Sequence, residues 1–492
     1  MLKETTQGTA TDINGQYTIE NIQAGTYLVE ASFIGFKTAS QTINLNKNEI
    51  ATVNFTLQAN TEVLNELVVV GYGRTQKRDV IGSIATIKAK EIENVVVPSF
   101  EQILQGRAAG VQVTASSGMA GAPVKILVRG SSSITAGAEP LYVLDGIPIT
   151  TGDFSPGSLG SRTNALADIN AADIESIEVL KDAAAAAIYG SRAANGVVLI
   201  TTKRGAKGAP KVQFNYYGGM VKATNRIAYL SANEHLLLRD ETRAYAGLEA
   251  DKPTDIIASG VSRAMADSIA AAGGTPWLDY ALREGSMQEA NFSVSGGNDH
   301  SRYFTGLSYR NETGFLVGNR FQRLSGRINV DNHITPKLSV GANLGVSWAS
   351  TDRVPTSYAG GLGSARYLLP YLPHKVNDFY YNPESNPSWQ LENRFFNQTV
   401  YRNIGRLFAE YKLFDALTFH TDIGIDILNQ IEEEFTFRNV LNAGSFSYAW
   451  DRRTTVLNWT TNTYLTYNRT FGTNAVHDIT LMAGNALQSV YT

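Results

Sequence analysis

The chain contains no cysteine. Disulfides, thiolate metal sites and cysteine nucleophiles are therefore excluded, and the compartment is left open, because a chain without thiols tolerates any redox poise. Charge is also scarce: 18% of residues are charged, against roughly a quarter in an ordinary soluble domain. A net charge of -3 argues neither for nucleic acid nor for a polyanionic substrate. No run approaches the roughly 18 apolar residues of a spanning helix. The start, Met1-Leu2-Lys3-Glu4-Thr5-Thr6, lacks the apolar core of a signal peptide. The histidines, at 235, 300, 333, 374, 420 and 477, show no paired metal spacing. No G-x-S-x-G, Walker loop or H-E-x-x-H occurs, and Gly71-Tyr72-Gly73 lacks the third glycine of a dinucleotide loop. No catalytic residue, cofactor or metal is assigned, and the chain is not read as an enzyme.

What is present is aromatic, glycine-rich and strand-like: Tyr 23, Phe 20 and Gly 44 stand against Pro 14. Residues 1–58 read as a small β-sandwich. Asp12-Ile13-Asn14-Gly15 is a turn signal, after which Tyr17 and Ile19, then Tyr27, Val29 and Ala31, then Val53, Phe55 and Leu57 alternate with polar neighbours. Residues 59–73 are a linker ending in Leu67-Val68-Val69-Val70-Gly71, apolar on both faces and flanked by polar residues. Such a run seeks another strand's edge, or is a buried strand of the next domain. Residues 74–205 mix short strands, glycine turns and short helices into an α+β domain. In it Pro98 to Leu104 is helical, Asp182 is placed to cap a helix through Ala183 to Ile188, and Gly190 suits that helix's C-terminal end.

From 206 to 492 the period becomes two over long stretches. Leu338, Val340, Ala342, Leu344, Val346 and Trp348 form one face against Ser339, Gly341, Asn343, Gly345 and Ser347. Ile423, Ile425 and Ile427 stand against His420, Asp422, Gly424 and Asp426. Strands of about ten residues are what a tilted bilayer crossing needs, and Gly, Asn and Asp on one face favour a wet lumen. Strands are expected near 211–220, 289–297, 301–310, 321–331, 337–348, 398–412, 417–429, 454–468 and 477–490. Their connections alternate short and long, except for the modest gap 311–320, the parity of periplasmic turns and external loops. The fold class is mainly β: an N-terminal sandwich, an α+β domain, and the first strands of a transmembrane antiparallel barrel. A barrel around so large an insert takes about 22 strands. The nine-strand count therefore makes the sequence an incomplete piece, with its true start and its later strands missing.

Several runs together resemble one family. LVVVGYG, LQGRAAGVQVT (Leu104 to Thr114), VKILVRGSSSI (Val124 to Ile134), PLYVLDGIPI (Pro140 to Ile149) and the long Asp173 to Gly205 run resemble SusC/RagA-type TonB-linked outer-membrane receptors and their plug domain. Phe292 to Asp299, with Arg302-Tyr303-Phe304, resembles their early barrel strands, and residues 1–58 their carboxypeptidase-regulatory-like domain. The resemblance implies import of glycan or peptide fragments across the outer membrane. It also implies TonB, with its inner-membrane energising complex, as energy source and a SusD-like surface lipoprotein as lid. The plug-motif residues are then Arg129, Gly130, Asp145, Gly146, Asp182, Tyr189, Gly190 and Arg192. Of these, Arg129, Asp145, Asp182 and Arg192 either hold the plug to the wall through ion pairs or serve local turns and caps. A siderophore or vitamin receptor, and a barrel-based adhesin, are the competing readings. The N-terminal module speaks against the first and the Val-rich handle against the second.

Within that reading Glu66, Leu67, Val68, Val69, Val70 and Gly71 form the handle on which TonB pulls, by strand addition through main-chain hydrogen bonds of about 0.5–1.5 kcal/mol each. In the loops, Glu234 to Leu238 is a helical insertion or a docking segment, and Phe379, Tyr380, Tyr381 and Trp389 either stack on sugars or pack within their loop. Val69→Pro removes a ladder donor. Uptake by the full-length receptor should be abolished while its heat-modifiable barrel band persists on gels; undiminished uptake would show that the handle lies elsewhere.

Overall fold

The computed structural model describes residues 8–9, 11–12, 15–20, 22–33, 36, 38–47, 49–57, 67–70, 73–76, 84–92, 99–131, 137–152, 154, 164, 166–224, 226, 228–258, 260–354, 361–383, 385–437, 447–471 and 477–492. The chain divides into two compact units, Met1–Gly82 and Ser83–Thr492.

In the first unit β1 (Gly25–Ala31) and β2 (Ala39–Leu45) form an antiparallel hairpin. Tyr17, Ile19, Val53, Phe55 and Leu57 are half-buried while their neighbours are exposed, the period of two expected of strands. The Tyr17 hydroxyl donates to the Val53 carbonyl at 2.9 Å, tying the two stretches together. Further along, β3 (Leu67–Val70) pairs antiparallel with β4 (Gly73–Gln76), Val70 opposite Gly73. The Val-rich run thus finds its strand partner in the residues that follow it.

The second unit begins with the α+β domain. Its sheet runs β5 (Ile84–Lys88), β10 (Ile174–Leu180), β11 (Val197–Thr202), β8 (Leu141–Leu144), β9 (Ile147–Pro148). Strand β11 is central, antiparallel to β10 and parallel to β8, and is buried nearly throughout. That is why Val197 to Ile200 reads as a continuous apolar run rather than an alternating one. A separate hairpin joins β6 (Val111–Ala115) to β7 (Val124–Val128). The core is Ile87, Phe100, Ile103, Leu104, Ile126, Leu144, Ile177, Val179, Val198 and Ile200.

Two local expectations are corrected. The helix after Asp182 is only Ala183–Ala186, followed by a 3-10 segment, Ala187–Asn195. Asp182 stands at the N-cap position, but its carboxylate makes no cap hydrogen bond and pairs with Arg129 instead. Gly190 (φ 70°) breaks the segment internally rather than ending it; the end is at Gly196 (φ 90°).

Then follows one nine-stranded antiparallel sheet in chain order: β12 (Gly208–Val221), β15 (Gly285–Gly297), β16 (Ser301–Thr313), β17 (Arg320–His333), β18 (Leu338–Asp352), β21 (Arg394–Phe414), β22 (Leu417–Thr436), β23 (Tyr448–Phe471) and β24 (His477–Tyr491). All nine expected strands are present. Short hairpins, β13 (Ile256–Ala258) with β14 (Val261–Ser262) and β19 (Lys375–Val376) with β20 (Phe379–Tyr380), lie in the long connections. The sheet is an open barrel-like wall, not closed on itself.

Its two faces invert the soluble pattern. Leu324, Leu407 and Ile423 are 51%, 61% and 51% exposed, whereas Arg323, Arg402 and Asp426 are 2%, 1% and 0% exposed. An apolar outer face beside a charged inner one suits a sheet with lipid outside. The polar face meets the plug rather than the water-filled lumen expected from its composition. Leu344, outward at mid-strand in β18, tests the assignment. Leu344→Arg should cost the full-length receptor about 2–4 kcal/mol in lipid vesicles, read by urea titration. A loss no larger than that of Leu344→Ala would mean that lipid does not cover this face.

Candidate functional site

The site is the boundary between the plug and the inner face of the wall. A bidentate pair anchors it: Arg402 on β21 donates to both carboxylate oxygens of Asp426 on β22, at 2.8 and 2.9 Å. The plug joins the pair at two points. The Arg402 guanidinium donates to the Thr150 carbonyl at 2.9 Å and to Asp168 at 3.4 Å, and the Thr150 N–H donates to Asp426 at 2.7 Å. Strand alternation puts Arg402 and Asp426 on the inner face.

Arg323 and Arg327, four residues apart on β17, share that face. Arg323 donates to the carbonyls of Ala167 and Ile169 and to the Asn170 side chain, each at 3.2 Å. It also lies 3.6 Å from Glu289 of the wall. Among the described residues the carboxylates facing Arg327 are both of the plug, Asp145 at 3.5 Å and Asp173 at 3.8 Å. Behind them Arg310 is fully buried between Glu289 and Glu312, at 2.9 and 2.6 Å. Neutral ties and one more ion pair complete the boundary. Asn329 donates to the Thr202 hydroxyl and the Lys203 carbonyl, and Asn458 to the Pro148 carbonyl, while Arg204 pairs with Asp331 at 2.7 Å.

The motif residues divide between the two roles considered for them. Asp145 and Gly146 both have positive φ, 48° and 89°, as the two-residue turn between β8 and β9 requires. The Asp145 carboxylate accepts from the Thr202 N–H and hydroxyl, at 3.0 and 2.7 Å, while facing Arg327. It therefore serves the turn and the wall together. Arg129 (φ 58°) and Gly130 (φ 98°) form the turn after β7, and Arg129 pairs within the plug with Asp182. Tyr189 is buried and Arg192 exposed, both on the 3-10 segment with Gly190. Of the handle residues, Leu67 to Val70 form β3, and Glu66 and Gly71 lie outside the described residues. In the loops, the Tyr380 hydroxyl donates to Glu392 at 2.5 Å and its ring lies under Lys375, so packing within the loop accounts for it.

The charged wall residues were visible as polar positions of alternating strands, but their plug partners were not. Asp168 and Arg402 are 234 residues apart.

These features have recognisable relatives. Residues 76–197 match the TonB-dependent Receptor Plug Domain and residues 1–69 the CarboxypepD_reg-like domain. TonB-dependent receptor P26 of Formosa agariphila is 32% identical over all of this chain and 47% of its own length. TonB-dependent receptor SusC of Bacteroides thetaiotaomicron is 29% identical over 99% of this chain and 48% of its own length. The chain belongs to the SusC/RagA-type TonB-dependent receptors. It spans about half the length of the curated relatives it matches. The fold matches the RagAB peptide importer in its open-open state, with a TM-score of 0.71, 24% identity, and coverage of 86% of this chain and 50% of that one. As a receptor of this type it is a protein of the outer membrane.

One plug group of this receptor is set apart electrostatically. Glu101 is fully buried, and burial pushes its carboxyl up to about 7, against a hydrogen bond from the Asn164 side chain at 3.0 Å. Asp168 nearby pushes the same way. Burial also raises Asp168 itself, with Arg402 opposing, and Asp173, with Arg327 opposing. A carboxyl raised on folding loses stability as pH climbs from its unfolded value, 4.5, toward its folded one. Glu101 alone should remove about 3 kcal/mol of plug stability between pH 4.5 and 7, levelling off above. Hydrogen exchange at residues 100–104 of the full-length receptor should quicken across that window beyond its intrinsic pH dependence. In Glu101→Gln that excess should vanish; an undiminished excess would acquit the residue.

Proposed function

We propose that the protein imports oligosaccharide fragments across the outer membrane, driven by TonB and working with a SusD-like surface lipoprotein as lid. The observation that carries the reading is whole-chain similarity to SusC and to receptors of the same domain order. The physical design supports it. A stopper held mostly by hydrogen bonds and ion pairs can be shifted while exposing little apolar surface to a wet channel.

In this reading the domains are 1–58, 59–73, 74–205 and 206–492: regulatory-like module, linker with handle, plug and wall. Leu67 to Val70 serve as the handle. Since β4 already covers one edge of β3, a TonB strand adds at the other edge or displaces β4. Oligopeptide uptake is the second reading, on the fold shared with the RagAB peptide importer. Siderophore or vitamin uptake is the third and lacks such a support.

Deletion of the full gene should abolish growth on one oligosaccharide or polysaccharide while growth on its monosaccharides is unchanged. The lipoprotein should copurify with the tagged receptor. A growth defect confined to oligopeptides would transfer the protein to the peptide reading, and one confined to iron limitation would overturn both.

A further inference from the structure

The two long external connections, 222–284 and 353–393, fold into one body. Helices Ala232–Tyr245, Arg263–Ala271 and Trp277–Ala281 share a core with Ala365, Tyr371 and Leu372 of the second connection. The Trp277 indole N–H donates to the Leu369 carbonyl at 3.0 Å, and the Thr275 N–H to the Pro370 carbonyl at 2.8 Å.

The end of that body is laced to the short turn between β16 and β17. Val317 N–H donates to the Ala281 carbonyl at 3.0 Å and Arg283 N–H to the Phe315 carbonyl at 2.8 Å. The Arg283 side chain then caps the turn, donating to the carbonyls of Gly314 and Asn319 at 3.1 and 2.8 Å. From the same turn the Asn319 side chain, 1% exposed, reaches the plug. Its oxygen accepts from the Ala120 N–H at 2.8 Å, and its nitrogen donates to the carbonyls of Ala120, at 3.3 Å, and Asp352, at 3.0 Å. Ala120 lies in the plug loop between β6 and β7, and Asp352 is the last residue before the second connection.

One primary amide thus answers both main-chain groups of Ala120, as a neighbouring strand would, and holds a third element with its remaining N–H. The turn is shaped for it. A Cβ at Gly314 would stand 2.2 Å from the Asn319 side-chain oxygen, so only glycine leaves the amide room. The hydrogen-bond pattern also fixes the amide's orientation, since the reverse would set N–H against N–H.

We propose that Asn319 is a positioning residue that couples the external loop body to the plug, so that displacement of either loosens the other. The coupling is reciprocal by linkage. It rests on the plug-in-barrel reading but not on the cargo.

The test is hydrogen exchange on the full-length receptor in detergent, read at residues 116–123 and at 222–284. Asn319→Asp keeps the shape but turns two of three donor–acceptor contacts into acceptor–acceptor ones. Exchange at 116–123 should rise about tenfold or more, the scale of one lost buried hydrogen bond. Arg283→Gln, whose hydrogen bonds go to the turn, should also quicken 116–123, and the double variant should match Asn319→Asp alone. Confinement of the Arg283→Gln effect to 222–284, or multiplication of the two effects in the double variant, would overturn the coupling. If Asn319→Asp fails to assemble, Arg283→Gln against the parent decides alone. No uptake is measured, so failure here leaves the import reading standing.

Discussion

A guanidinium taken out of water must be paired, and most of this structure's inner architecture follows from that. Four arginines of the wall, Arg310, Arg323, Arg327 and Arg402, are nearly or fully buried once the plug is seated. An unpaired buried charge costs several kcal/mol, so each position demands carboxylates or carbonyls at a fixed place. Arg310 and Arg402 find theirs on the wall itself, in Glu289, Glu312 and Asp426. For Arg402 the plug adds a second set of acceptors, the Thr150 carbonyl and Asp168, and neither arginine is left without a carboxylate when the plug moves. Arg327 differs: both of its carboxylates, Asp145 and Asp173, belong to the plug. The wall therefore holds arginines paired on the wall itself and one whose carboxylates come from the plug.

The same alternation that buries these arginines presents leucine and isoleucine outward, and this is why so much of the wall was legible in the sequence. A period of two needs no partner to be seen. It is written in Leu338 to Trp348 and in Leu417 to Ile427 whichever strands flank them. Strand order followed chain order, as a meander of antiparallel neighbours does, even where the long connections 222–284 and 353–393 intervene. In the plug, the apolar run Val197 to Ile200 is visible as a strand, but its central place in the sheet is not, because that depends on β10 and β8 on either side.

Pairings across the chain were not legible, because nothing local encodes them. Asp168 looks like any loop aspartate until Arg402 is set beside it. Asp182 precedes an alanine run and fits a cap on local grounds, yet Arg129 takes its carboxylate. The valine run of β3 was read for its hunger for an edge, and its supplier, Gly73 to Gln76, was too polar to be read as a strand. In each instance the partner was decided by the fold and not by the residues alongside.

The two kinds of attraction are also sorted in space. The plug's core cluster is almost wholly its own, with Ile404 the one wall residue in it among the described buried residues. A small second cluster, Ala120 and Ala167 against Phe321 and Ala349, is the apolar part of the boundary. Elsewhere the boundary is polar. Apolar contact is nondirectional and falls only as area is exposed, so an apolar seam would resist until the whole face parted. Hydrogen bonds are short-ranged and each nets about 0.5–1.5 kcal/mol. They yield one at a time, and water replaces what is lost. A stopper seated this way stays folded on its own core and is precisely located while idle. It can still be drawn aside by a pull that breaks few contacts at once, and the nine-stranded ladder around it is left untouched.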